Sequence, residues 1–376
     1  MLDVATAKSP LPSWLAAMLA DKASDLYLTV GAPPMARGDK GMVPLRPEPL
    51  SATEVETVLA DLATPQALAD FAATKELNLA LDLGAAGRFR VNGFRQRQHP
   101  GLVIRTIPLT IPTLDDLRLP ELLGRLCLEK RGLVIMVGGT GSGKSTTLAA
   151  MLDYRNRNAA GHIITIEDPI EFIHDHRQCL ITHREVGIDT LSFEAALKNA
   201  LRQKPDIILI GEIRDAETME HAINIAETGH LCLATLHANN ANQAIERILN
   251  FFPHEAHSQL LLNLSLNLRA VVSQRLVPTL QGKRTVALEV LLNQGQIRDQ
   301  IRKGDVKDIK TAIAAAEDQG MQTFDQALYR LVRAEAISEE VALAEADSPT
   351  DLRLMLQQTK LGAAGLASVD TSKLSL

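Results

Sequence analysis

Eight consecutive residues, Gly138-Gly139-Thr140-Gly141-Ser142-Gly143-Lys144-Ser145, match the pattern G-x-x-x-x-G-K-[ST] at every position. These residue types suit one task, the holding of a phosphate chain. Glycines let successive backbone N–H groups curl around phosphate oxygens without a Cβ in the way. The lysine ammonium can bridge β- and γ-phosphates, and the hydroxyl after it can ligate Mg2+. The apolar run Leu133–Val137 precedes the loop and a helical stretch, Thr146–Asn156, follows it. That is the strand–loop–helix setting the motif requires, and the helix turns its positive end toward the same anion. Gly138 through Thr146 are therefore candidate nucleotide-binding residues, with Ser145 a candidate Mg2+ ligand.

Cleavage of a bound triphosphate needs more, namely a positioned water and acids beside the metal. Three carboxylates, Glu167, Asp168 and Glu171, follow the apolar run Ile163–Ile166. One of them could orient the attacking water or accept its proton. Taken alone, the same segment could be a polar capping loop. A second run, Ile207–Ile210, ends in Gly211-Glu212, a glutamate placed to hold Mg2+ directly or through water. A third, Leu231–Leu236, has His230 before it and His237 after it. A histidine at this sheet end could sense the γ-phosphate or contact a neighbouring subunit. Charge on the transferring phosphoryl group is commonly met by an arginine as well, and Arg88, Arg90, Arg95, Arg97 and Arg105 cluster in the first third of the chain. A solvated basic strand face is the alternative reading of that cluster.

The elements that must carry these groups divide the chain in two. In the first hundred or so residues, Leu11, Trp14, Leu15, Met18 and Leu19 recur at helical spacing, and Asp25–Val30 alternates as a strand. Ser51–Thr74 reads as helices opened by a Ser51/Glu54 capping box. Leu77–Leu83 and Arg88–Phe94 read as strands paired about a Gly84–Gly87 turn, with Leu102–Ile107 as a third. This is a small α+β unit. Pro108 and Pro112 then bracket an extended segment. Beyond it, four compact apolar runs (Gly132–Val137 and the three above) alternate with enough chain for helices or hairpins, as buried parallel strands do. From Glu255 onward the pattern predicts an almost wholly helical region with a frayed end.

Composition bounds the rest. A chain of 376 residues is sufficient for two to three domains and a large core. A net charge of −6 argues against nucleic acid as the main partner. Cys127, Cys179 and Cys232 form no C-x-x-C pair, so structural zinc is not expected and a reducing, cytosolic compartment fits. No apolar stretch reaches the about 18 residues of a membrane span, and the N-terminus lacks the order of a signal peptide. Any work at a membrane would pass through partners.

Four segments in this order carry a resemblance to the secretion ATPases of type IV pili and type II secretion. They are the phosphate loop, Thr165-Ile-Glu-Asp-Pro-Ile-Glu171-Phe172, Gly211-Glu-Ile-Arg-Asp215, and Thr228-Gly-His-Leu231 with Thr235-Leu-His237. They look like that family's Walker A, Asp box, Walker B and His box, and the similarity extends from about Ser24 to Leu356. Within the family the chain resembles the pilus retraction group, PilT and PilU, in its length and in lacking the tetracysteine zinc module of the assembly ATPases. Arg184-Glu-Val-Gly187, Gly320-Met-Gln-Thr-Phe-Asp325 and Asp347-Ser-Pro-Thr-Asp-Leu-Arg353 resemble the PilU type. A helix motif of the PilT type is present only in degraded form, as Gln296-Ile-Arg-Asp-Gln-Ile-Arg-Lys303.

The resemblance implies an α/β protein with a PAS-like N-terminal domain (1–107), a linker (108–118), a RecA-like P-loop ATPase core (119–290), a helical C-terminal region (291–358) and a flexible tail (359–376). It implies ATP hydrolysis with Mg2+ in a homo-hexameric ring that powers pilus retraction. Glu171 would be the general base, and Glu212 would act at Mg2+ or its waters. Arg214, His230 and His237 would couple subunits, and Arg90 and Arg105 would be the arginines that reach the nucleotide. Expected partners are a PilT-like paralogue and the pilus platform protein of the inner membrane, met at its cytoplasmic face. An accessory ring that assists a PilT-like motor is the alternative.

Overall fold

The computed structural model describes residues 7–38, 41–84, 87–108 and 110–367, in two compact units divided between Thr110 and Ile111. The first contains α1 (Leu11–Ala20), β1 (Asp25–Thr29), β2 (Met35–Gly38), β3 (Gly41–Pro44), α2 (Ala52–Leu62), α3 (Pro65–Thr74), β4 (Glu76–Asp82), β5 (Arg88–Gln96) and β6 (His99–Ile107). Its six-stranded sheet, in the order β3-β2-β1-β6-β5-β4, is antiparallel throughout. Strand β5 alternates inward and outward residues, so that Phe89 and Val91 join Trp14, Leu26, Val55 and Phe71 in one core. The capping box of α2 forms as read: Ser51 Oγ accepts from Glu54 N–H and the Glu54 carboxylate accepts from Ser51 N–H. The β2–β3 hairpin is an addition to the sequence reading, and the middle of the expected Gly84–Gly87 turn lies outside the described residues.

The second unit opens with α4 (Glu121–Cys127), β7 (Gly132–Val137), α5 (Lys144–Asn158), β8 (Gly161–Glu167), β9 (Cys179–Glu185), α6 (Phe193–Ala200) and β10 (Ile207–Ile210). It continues through α7 (Ala216–Glu227), β11 (Leu231–Leu236), α8 (Ala241–Leu249), α9 (His257–Asn267), β12 (Leu268–Pro278) and β13 (Arg284–Leu292). Five α-helices close its described part: α10 (Gly295–Lys303), α11 (Ile309–Ala315), α12 (Phe324–Arg333), α13 (Glu339–Glu345) and α14 (Pro349–Ala367). The sheet order is β13-β12-β7-β11-β10-β8-β9, parallel except for the β12–β13 pair. Both faces are covered. Leu133, Ile135 and Val137 pack toward α6–α9, while the intervening Val134 and Met136 pack toward α4 and α5, as strand alternation demands. Such double coverage is why these strands read as unbroken apolar runs.

The structure departs from the sequence reading at three places. The region after Glu255 is not wholly helical, because β12 and β13 are long strands there. The Leu260, Leu261 and Leu264 periodicity of α9 runs straight into Leu268, which masks the change, although Val271, Val272, Val277, Val286 and Val290 carry β preference. Strand β9 was not foreseen; as an edge strand it leaves Leu180 exposed and buries Cys179 and Ile181. The tail expected from 359 onward is helical as far as Ala367, and 368–376 lie outside the described residues.

Strand β12 is tied to the closing helices by charge. Arg275 donates to Asp347 Oδ1 at 2.6 Å and lies 3.9 Å from the centre of the Phe324 ring. Lys310 meets Asp325 at 3.1 Å, and Asp325 accepts from the backbone N–H of Asp347 and Ser348. The cysteines Cys127, Cys179 and Cys232 are all buried free thiols. Burial pushes Cys127 up to about 12 and raises the other two. No helix among the described residues is long and apolar enough to cross a membrane.

Candidate active site

Strand β7 ends at Val137 and the phosphate loop turns back over its end. Gly138 has φ +153°, and a Cβ there would lie 2.5 Å from Ser142 Oγ and 2.6 Å from the Gln274 carbonyl oxygen. Gly143, at φ +85°, caps α5, and a Cβ there would come within 2.9 Å of Gln274 Nε2. Both positions thus need glycine for backbone conformation and for space. Lys144 is 8% exposed. Its Nζ donates to the carbonyls of Gly138 and Gly139, at 2.8 and 2.9 Å, spanning the loop. Burial draws its ammonium below the usual lysine value, while the Glu212 and Glu171 carboxylates act the opposite way. Both acids are therefore within electrostatic reach of the lysine.

The parallel order β7-β11-β10-β8 places the C-terminal ends of these strands side by side. Glu212 follows β10, between the other two acid- and histidine-bearing ends. Its Oε2 accepts from Arg214 Nε at 2.8 Å and its Oε1 lies 3.2 Å from His237 Nε2. Arg214 Nη1 reaches Asp168 Oδ2 at 3.3 Å. One chain of polar contacts, His237–Glu212–Arg214–Asp168, thus links the segments after β11, β10 and β8. Two caps fix it: Asp215 accepts from Thr218 N–H at the start of α7, and Asn240 accepts from Gln243 N–H at the start of α8. Gly211 sits where a Cβ would lie 3.1 Å from Glu167 Cα, so β10 and β8 approach closely at the acids. An open cleft of about 330 Å³, lined by Gly138, Gly139, His237 and Arg247, adjoins the loop. On the other side Ser145, Glu167, Gly211 and Thr235 line a narrower one.

Glu171 is exposed, and its backbone N–H donates to Glu167 Oε2 at 3.4 Å. Glu167 itself is buried, and burial pushes its carboxyl up to about 7, against hydrogen bonding from Thr165 and the Glu171 amide. The folded protein therefore holds this proton between pH 4.5, the ordinary value, and about 7, where the unfolded chain has released it. The stability this proton brings is present below that window and lost as pH rises through it. Glu167→Gln mimics the protonated acid at every pH. In urea unfolding without nucleotide, it should match the parent near pH 4.5 and exceed it at pH 8 by on the order of 3 kcal/mol. Equal stabilities at pH 8 would refute the assignment.

Not every expected residue is carried by the elements that end here. His230 precedes β11, a strand of six residues, and so lies about 20 Å from its far end; its Nδ1 is 3.2 Å from Thr228 Oγ1. Arg90 and Arg105 belong to the N-terminal unit, where they are cross-strand neighbours on β5 and β6. Arg105 is paired with Asp25 at 2.8 Å. Of the other arginines considered, Arg88 meets Asp82 and Arg95 stacks over Phe71. Sequence reasoning missed Gln274, a buried residue of β12 against the loop. Its partners lie 127 and 132 positions away, and nothing short of the strand order announces them.

Comparison with known proteins gives concordant results. The family described as "Type II/IV secretion system protein" matches residues 75–360. The type IV pilus ATPase PilU of Pseudomonas aeruginosa is 54% identical over 94% of this chain and 93% of its own length. The retraction ATPase PilT of the same organism is 43% identical over 87% of this chain and 95% of its own. A crystal structure of the pilus retraction motor PilT with bound ADP superposes with a TM-score of 0.86 at 37% identity, covering 91% of this chain and 98% of that one.

Proposed function

The chain belongs to the type II/IV secretion system protein family and is an ATPase of its pilus branch, and we propose that it works as a homo-hexameric ring that hydrolyses ATP to drive type IV pilus retraction, and so twitching motility. One observation carries this reading: an intact phosphate loop within a chain that matches a pilus ATPase over nearly its whole length. The ring would stand at the cytoplasmic face of the inner membrane, held by the pilus platform protein.

The residues fit a Mg2+–nucleotide. Ser142 Oγ is buried inside the loop without a hydrogen-bond partner, and Ser145 and Glu212 are the hard oxygen donors that Mg2+ prefers. No cluster of three metal-binding side chains occurs among the described residues. In the proposed mechanism Ser145 and Glu212 would hold the ion, directly or through water. The ion would supply charge neutralisation for the phosphates. Backbone N–H groups of Gly138–Thr146 orient the phosphates and Lys144 shifts from the loop carbonyls onto them. Glu171 takes the proton of the attacking water. Arg214 and His237, both on Glu212, transmit the outcome to the next subunit, and Arg90 or Arg105 completes the charge around the nucleotide. His230 would serve only at a contact between copies.

A second reading rests on the α10 segment Gln296–Lys303, which departs from the PilT-type motif. Under it the ring assists a PilT-like motor. The discriminating measurement is pilus retraction in cells that carry this protein and lack the PilT-like paralogue. Normal retraction establishes an autonomous motor; its absence, with the ATPase intact, leaves the accessory role.

A further inference from the structure

We infer that Gln274 of β12 is a positioning residue for the nucleotide, acting through the peptide between Ser142 and Gly143. Gln274 is 1% exposed. Its Nε2 donates to the Ser142 carbonyl at 2.7 Å and its Oε1 accepts from Thr147 Oγ1 at 2.8 Å. The orientation of the amide follows from its partners: a carbonyl oxygen can only accept, so the NH2 must face Ser142 and the oxygen must face the hydroxyl. The clamp therefore holds both the loop and the first turn of α5.

Its effect on binding follows from peptide geometry. In a trans peptide the C=O and the N–H point in opposite directions. Holding the Ser142 carbonyl back against β12 aims the Gly143 N–H the other way, into the concave side of the loop where a phosphate oxygen is received. The glycines obey the same constraint. A side chain at Gly143 would collide with Gln274 Nε2, and one at Gly138 with the main-chain oxygen of the same residue. The loop is thus shaped around this one residue as well as around phosphate.

The neighbouring Ser273 supplies a control. It points to the opposite face of β12, where its Oγ donates to Glu289 Oε1 at 3.0 Å in an equally buried setting. Gln274→Leu removes both partners of the clamp. Gln274→Glu keeps the size and the acceptor for Thr147 but places a second acceptor against the Ser142 carbonyl. Ser273→Ala removes a buried hydrogen bond without touching the loop. All three are measured as the full-length chain with Mg2+ and ATP, by equilibrium binding, steady-state turnover and thermal unfolding.

Both Gln274 variants should raise the ATP Kd and KM about tenfold, the equivalent of one buried hydrogen bond. The rate at saturation should fall much less, because the contact serves ground and transition states alike. Ser273→Ala should lower Tm comparably and leave KM near that of the parent. A folded Gln274→Glu that binds ATP as the parent does would overturn the inference, as would a Ser273→Ala variant with the same rise in KM. If Gln274→Leu proves too unstable to purify, the isosteric Gln274→Glu decides the matter alone.

Discussion

Replacement of Lys144 by alanine should abolish ATP turnover, by about a thousandfold or more, since a single preorganised donor at a developing phosphoryl charge is worth about 100- to 1000-fold and this one carries a full charge. Nζ stands 2.8 and 2.9 Å from two carbonyls of the loop, a temporary arrangement it can exchange for phosphate oxygens without moving its backbone. Removing it subtracts the cation and releases the loop carbonyls together, so nucleotide affinity should drop as well. The measurement is phosphate release by the purified protein, with circular dichroism to show that the variant is folded. Turnover at the parental rate would end the assignment of this loop as the hydrolytic site.

Replacement of Glu171 by alanine should separate two functions that the lysine variant loses together. Glu171 is exposed and hydrogen-bonds to Glu167 through its backbone N–H, so truncation of its side chain should leave the fold undisturbed. Its charge still reaches Lys144, the lysine proposed to bind the phosphates. Turnover should fall by about 100- to 10,000-fold, the usual contribution of a positioned base, with the ATP Kd within a few-fold of the parent. Loss of binding would make Glu171 a structural residue. Persistent turnover would transfer the base role to another acid, with Glu167, buried and titrating near 7, the next to test.

Much of this site was legible because its parts are local. Glycine spacing, a lysine and a following helix lie within a few residues of one another, and an acid or a histidine after an apolar run is visible wherever it occurs. What the chain does not display is lateral order. Glu212 bonds His237 on one side and Arg214, which reaches Asp168, on the other, because β10 lies between β11 and β8. That arrangement follows from packing and not from position along the chain. Strand β12 was hidden for a related reason. It begins one residue after α9, with no glycine or proline between them, so helical periodicity continues into it. Gln274 was lost with it, since a glutamine in a supposed helix carries no message.

The three cysteines have a practical consequence. Each thiol is buried and disfavoured as thiolate, and it is the thiolate that reacts with electrophiles. To a maleimide or iodoacetamide the native surface is already blank. A reporter dye can therefore be placed at any chosen exposed position by adding one cysteine, with no need to remove the resident three and disturb the packing around them. Distances between labelled positions then become measurable in otherwise unaltered protein.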